Sequence, residues 1–136
     1  MTNINQWQNI PLPKRIWWLW DDPIDTVGFF TTFSLESATN AELSLACSGS
    51  YRAWVDGASL PTIEAPYPSW RVMHRIPVDL SYGEHTLCIE ANLDGQNQPS
   101  LLACLDWQKD GSLVRIASGK DWQMTAKPTP GWQFTP

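Results

Sequence analysis

Nowhere along this chain do apolar residues recur at i, i+3, i+4 and i+7 for long enough to make an amphipathic helix. Eleven prolines and eight glycines among 136 residues cut it into short pieces instead. Between them lie segments in which apolar and polar residues alternate, the period-2 mark of a strand with one dry and one wet face. The clearest sets Ala41, Leu43, Leu45 and Cys47 against Glu42, Ser44 and Ala46. An all-β fold follows: a jelly-roll β-sandwich of about eight or nine strands.

In chain order, strands are expected over 15–20, 27–35, 41–48, 51–55, 70–80, 81–93, 100–107, 113–118 and 120–124. Pro77 lacks an amide proton, so the 70–80 segment belongs at a sheet edge or a bulge. The nearly continuous apolar run 100–107 suits a central strand. Asp56-Gly57 and Asp110-Gly111 are strong hairpin turns. Residues 61–70 hold three prolines and read as an irregular loop. The expected organisation is an N-terminal extension (1–14), a sandwich domain (15–124) and a Pro-rich tail or linker (125–136). A chain of this length suits one domain with one core.

The formal net charge is −5, and the basic residues are scattered singly. A nucleic-acid partner is therefore not expected, because phosphate binding needs a basic patch. An acidic surface also repels anionic membranes, and no apolar run approaches the ~18 residues of a spanning helix. No basic stretch followed by an apolar one marks a secretory signal, so a cytoplasmic location is expected. Cys47, Cys88 and Cys104 lie in apolar segments and read as packing residues rather than zinc ligands.

Nine tryptophans are unusual for this length. Aromatic rings stack on flat apolar faces, including those of sugars. Arg52, Trp54 and Asp56 share the period-2 spacing of one strand face. Tyr67, Trp70, Arg71 and His74 follow in or after the next loop. These seven residues form the candidate ligand-binding surface. The same spacing serves equally for docking a neighbouring domain or subunit. A glycosidase would need two carboxylates ~5 Å or ~6.5–9.5 Å apart across a pocket. The carboxylates here fall mostly in turns, so no catalytic residue is assigned.

The succession "AELSLACSGSYRAWVDGASL … RIPVDLSYGEHTLCIEANLDG … LLACLDWQKDGSLVRIASGKDWQM" resembles the N-terminal, non-catalytic β-sandwich of bacterial α-L-rhamnosidases. The matching positions are Tyr51, Trp54, Val55, Asp56 and Gly57, then Asp79 with Gly83, Asp110 with Gly111, and Ser118 with Trp122. Asp56 stands where that family usually has Asn. The resemblance implies a galactose-binding-like jelly roll and a carbohydrate-binding or accessory role beside a glycoside hydrolase. The catalytic carboxylates of such enzymes lie on a separate helical barrel, so this chain is not expected to be an enzyme. A docking or structural module without a small ligand is the alternative. Calcium is common in such folds, and Asn92, Asp94 and Asn97 offer oxygens without EF-hand spacing. No cofactor or metal is expected.

Overall fold

A computed structural model describes residues 16–17, 26–47, 50–61, 73–92, 100–126 and 128–136. They form ten strands: β1 (Ile16–Trp17), β2 (Thr26–Leu35), β3 (Thr39–Cys47), β4 (Ser50–Val55), β5 (Ala58–Ser59), β6 (His74–Leu80), β7 (Gly83–Asn92), β8 (Ser100–Lys109), β9 (Ser112–Ala117) and β10 (Gln123–Ala126). A short 3-10 turn, Trp132–Phe134, follows. The first sheet runs β1-β8-β3-β6 with β9 also on β8, and the second runs β10-β2-β7-β4-β5. All pairings are antiparallel. The expected all-β sandwich is the observed one, with the two-residue β5 added to the nine expected strands and the first of those reduced to the two residues of β1.

The alternation decides which side of each strand meets the core. In the first sheet, Ala41, Leu43 and Leu45 of β3 stand opposite Trp107, Leu105 and Ala103 of β8. In the second, Phe29 of β2 and Ala53 of β4 flank Ile89 of β7. These residues, with Val27, Leu87, Leu101 and others, are buried in one cluster between the sheets. Each fully buried aliphatic or aromatic side chain contributes about 1.5–3 kcal/mol, and together they offset the ordering of the chain.

The predicted edge position of Pro77 agrees with the described residues: among them β6 pairs with β3 alone and lies at the end of the sheet, with Pro77 opposite Glu42. β8 is central in its sheet, with β3 on one side and β1 and β9 each paired to it on the other. Asp56 and Asp110 both have φ of 52°, and Gly57 and Gly111 both have φ of 80°. Two consecutive left-handed residues make a type I′ turn, whose twist matches that of the flanking strands. Ser118 and Trp122, singled out in the closing motif, are structural. Ser118 exchanges bonds with the backbone of Ala103, and the Trp122 indole donates to the Ala117 carbonyl at 3.1 Å.

The order of strands places the turns 36–38, 56–57, 81–82 and 110–111 together at one end of the sandwich. Among the described residues, no helix is long and apolar enough to cross a membrane.

Candidate functional site

Of the seven predicted surface residues, Arg52, Trp54, Asp56 and His74 fall on described residues, and all four have internal partners. The expectation that Trp54 shares an open face with Arg52 does not hold. Trp54 does point to the outer side of the second sheet, but it is only 7% exposed. Trp132 packs on it edge-on, with ring centroids 5.9 Å apart. Phe30 and Cys88 complete this small outer cluster. Period-2 spacing assigns a side chain to a face; it does not say whether a distant segment covers that face.

Arg52 remains outside, its side chain 67% exposed. Its guanidinium lies over the Trp54 ring, 5.5 Å from the centroid, within cation–π range. It donates through Nε at 3.0 Å and through Nη2 at 2.5 Å to Oε2 of Glu90. Glu90 is 8% exposed, and its other oxygen accepts from the Trp132 indole at 3.1 Å. A buried carboxylate needs such partners, because an unpaired one costs several kcal/mol.

Asp56 is equally committed. Its Oδ1 accepts the Thr86 amide at 2.8 Å, and its Oδ2 lies 2.5 Å from Nδ1 of His85. The other ring nitrogen of His85 faces the Ser81 carbonyl at 2.7 Å. Burial alone depresses the His85 pKa, but the hydrogen bonds to Asp56 and Ser81, with the Asp56 charge, bring it above the ordinary histidine value. Asp56 is thus a brace between the β4–β5 and β6–β7 turns. His74 points inward, its Nδ1 3.0 Å from the Tyr51 hydroxyl. Tyr67, Trp70 and Arg71 lie outside the described residues.

Among the described residues, an open concave surface lies at the end where the short turns gather. A cleft of about 320 Å³ separates residues 35–39 from Trp107, Gln108, Lys109 and Asp110. Ala38 and Thr39 also border a second hollow of about 480 Å³, which Asn40, Asp79, Leu80 and Ser81 complete. Lys109 and Glu36 face one another across the first cleft at 2.8 Å, both well exposed. Their mutual hydrogen bond and charge lower the Glu36 pKa and raise that of Lys109. Trp107 borders the cleft from the core, 8% exposed, and the rim carries an ammonium, carboxylates and an amide.

Sequence reasoning missed this cleft and missed Glu90, His85 and Trp132. One signal for Trp132 was available: Gly28 interrupts an aromatic strand, and glycine in a strand often marks a close approach of another segment. A Cβ at Gly28 would stand 2.7 Å from Cη2 of Trp132. Of the oxygens considered for calcium, Asp94 and Asn97 lie outside the described residues, while Asn92 donates to Thr26 at 3.1 Å. No group of three metal-ligating side chains occurs among the described residues.

A comparison with protein-family models and with proteins of curated function gives no match. Solved structures do match. An α-L-rhamnosidase of Streptomyces avermitilis, determined with L-rhamnose, is 25% identical over 82% of this chain and 12% of its own length, with a TM-score of 0.71. A lectin of Pleurotus ostreatus, determined with GalNAc, is 16% identical over 90% of this chain and 38% of its own, at a TM-score of 0.73. An α-L-rhamnosidase of Aspergillus terreus is 19% identical over 91% of this chain and 17% of its own, at 0.67. The chain therefore resembles one β-sandwich domain of α-L-rhamnosidases and spans only a small share of those enzymes' length.

Proposed function

We propose that this chain is a non-catalytic, carbohydrate-binding accessory domain of the kind built into α-L-rhamnosidases. The carrying observation is the 25% identity over most of this chain to a stretch making up 12% of such an enzyme. A part that small is an addition to a catalytic machine rather than the machine itself. The lectin of the same fold, determined with GalNAc, supports a saccharide as the ligand class.

The cleft at the turn end is the surface best suited to it. Ligand pockets of small molecules start at about 300 Å³, and the first cleft reaches that size. A neutral saccharide asks for hydroxyl partners of both polarities beside an apolar ring. Lys109 and Gln108 supply donors and Glu36 and Asp110 supply acceptors, while Trp107, 8% exposed, offers little ring surface for stacking. The net negative charge does not oppose a neutral ligand, whereas it does oppose polyanions.

Titration with L-rhamnose, galactose and a pectic oligosaccharide, followed by tryptophan fluorescence, tests this. A saturable change that weakens in Lys109→Ala and Gln108→Ala is expected. A flat response at millimolar sugar would sink the carbohydrate reading. It would leave the docking or structural module without a small ligand as the second reading.

A further inference from the structure

The outer face of the second sheet holds a groove that the chain fills with its own residues 131–134. Four features define what the groove accepts. Gly28 provides a notch for the indole, since any Cβ there would fall 2.7 Å from the Trp132 ring. Glu90, held by Arg52, accepts the indole N–H at 3.1 Å. Trp54 and Phe30 wall the ring edge-on, with centroids at 5.9 and 6.4 Å. Phe134 lies over Gly57, where a Cβ would come within 2.5 Å of its Cδ1.

Two aromatics two positions apart therefore meet two glycines on separate elements, with one directed hydrogen bond between the two contacts. This is recognition of a sequence, Gly-Trp-x-Phe, by notch, acceptor and spacing. The Gln133 carbonyl beside the Cys88 thiol, at 3.9 Å, reads only backbone at the intervening position. Phe134 stays 68% exposed, so the groove opens to solvent at its far end. Pro130 and the left-handed Gly131 make a tight turn closed by the Trp132 amide on the Thr129 carbonyl at 3.0 Å, and proline's fixed φ presets that turn, which lowers the ordering cost of docking from the same chain or from another.

We propose that this face is a peptide-recognition groove, closed in cis by residues 131–134, and that it takes the same segment in trans from a second copy of the chain. Gly131–Phe134 is the sequence whose fit the structure shows, so a second copy is the partner with matching chemistry. Exchange of the segment pairs two domains without any new interface residue. The inference does not rest on the carbohydrate reading, because the cleft between residues 35–39 and 107–110 takes no part in it.

Complementary variants test it. The Trp132→Ala chain keeps an empty groove but no indole, whereas the Gly28→Val chain keeps the indole but has its notch filled. Each alone should sediment as a monomer, and an equimolar mixture should yield a species of twice the monomer mass. A mixture that stays monomeric, with both variants retaining wild-type far-UV dichroism, overturns the proposal. If Gly28→Val does not fold, a labelled peptide of residues 128–136 titrated into the Trp132→Ala chain replaces it. Saturable binding, about tenfold or more tighter than to the wild-type chain whose groove is occupied, supports the proposal. No binding overturns it, as does binding of L-rhamnose in the opened groove without binding of the peptide.

Discussion

Trp132 and Glu90, separated by 42 positions, meet on the outer face of the second sheet through an indole N–H that donates to a buried carboxylate. That bond, and the ring contacts around it, convert a Pro-rich tail into part of the folded domain. Trp54, which the strand pattern sets toward solvent, is thereby covered, and among the described residues an open cleft lies at the turns at one end.

Trp132→Ala should lower stability by about 3 kcal/mol, the low end for truncating a buried tryptophan, because Trp54 and Glu90 lose their cover together. Urea denaturation measures the loss. Acrylamide should quench the variant's fluorescence more strongly, as Trp54 becomes accessible.

Gly28→Ala should displace the same segment without deleting it, since the new methyl would meet Trp132 and Thr125 at less than 3 Å. Gly57→Ala should be costly for a second reason: φ of 80° is left-handed, in addition to the contact with Phe134. Each should cost about 1 kcal/mol or more. Gly111→Ala shares the φ of 80° but meets nothing within 4 Å, so it should be the mildest of the two turn substitutions in thermal melts.

His85 should make stability depend on pH. Its two ring nitrogens face two acceptors, and its pKa in the fold lies above the ordinary value. The charged form is therefore the one the fold prefers. Its contribution is complete below the unfolded-state pKa of ~6.5 and is lost as pH rises through the raised folded value. Urea midpoints should fall as pH rises above the unfolded-state value, and His85→Gln should flatten that slope. An unchanged slope in the variant would contradict the brace.

The three cysteines should be inert in the native state. Burial pushes the Cys47 thiol up to about 12, and burial with the nearby Asp56 charge pushes Cys88 to about 11. Burial first, and the Asp106 charge second, also raises Cys104. A thiol reagent at neutral pH should titrate almost none before denaturant is added and all three afterwards, since the thiolate is the reactive form.

What could be read from the sequence was what local geometry controls. The alternation at Ala41–Cys47, the Asp-Gly turns and the edge placement of Pro77 all depend on neighbours within a few positions. What could not be read depends on contacts between distant segments. Arg52, Trp54 and Asp56 do share an outward register, but Trp132, Glu90 and His85 decide what each does there. The cleft beside Lys109 is assembled from two turns far apart in the chain, and no short motif announces it.

Amide chemical-shift mapping of the labelled chain with L-rhamnose tests the functional proposal most directly. Saturable shifts should cluster at residues 35–39 and 107–110 and leave Arg52, Trp54 and Glu90 unmoved. Shifts centred on the outer face of β4, or no shifts at millimolar sugar, would contradict a saccharide site between the turns.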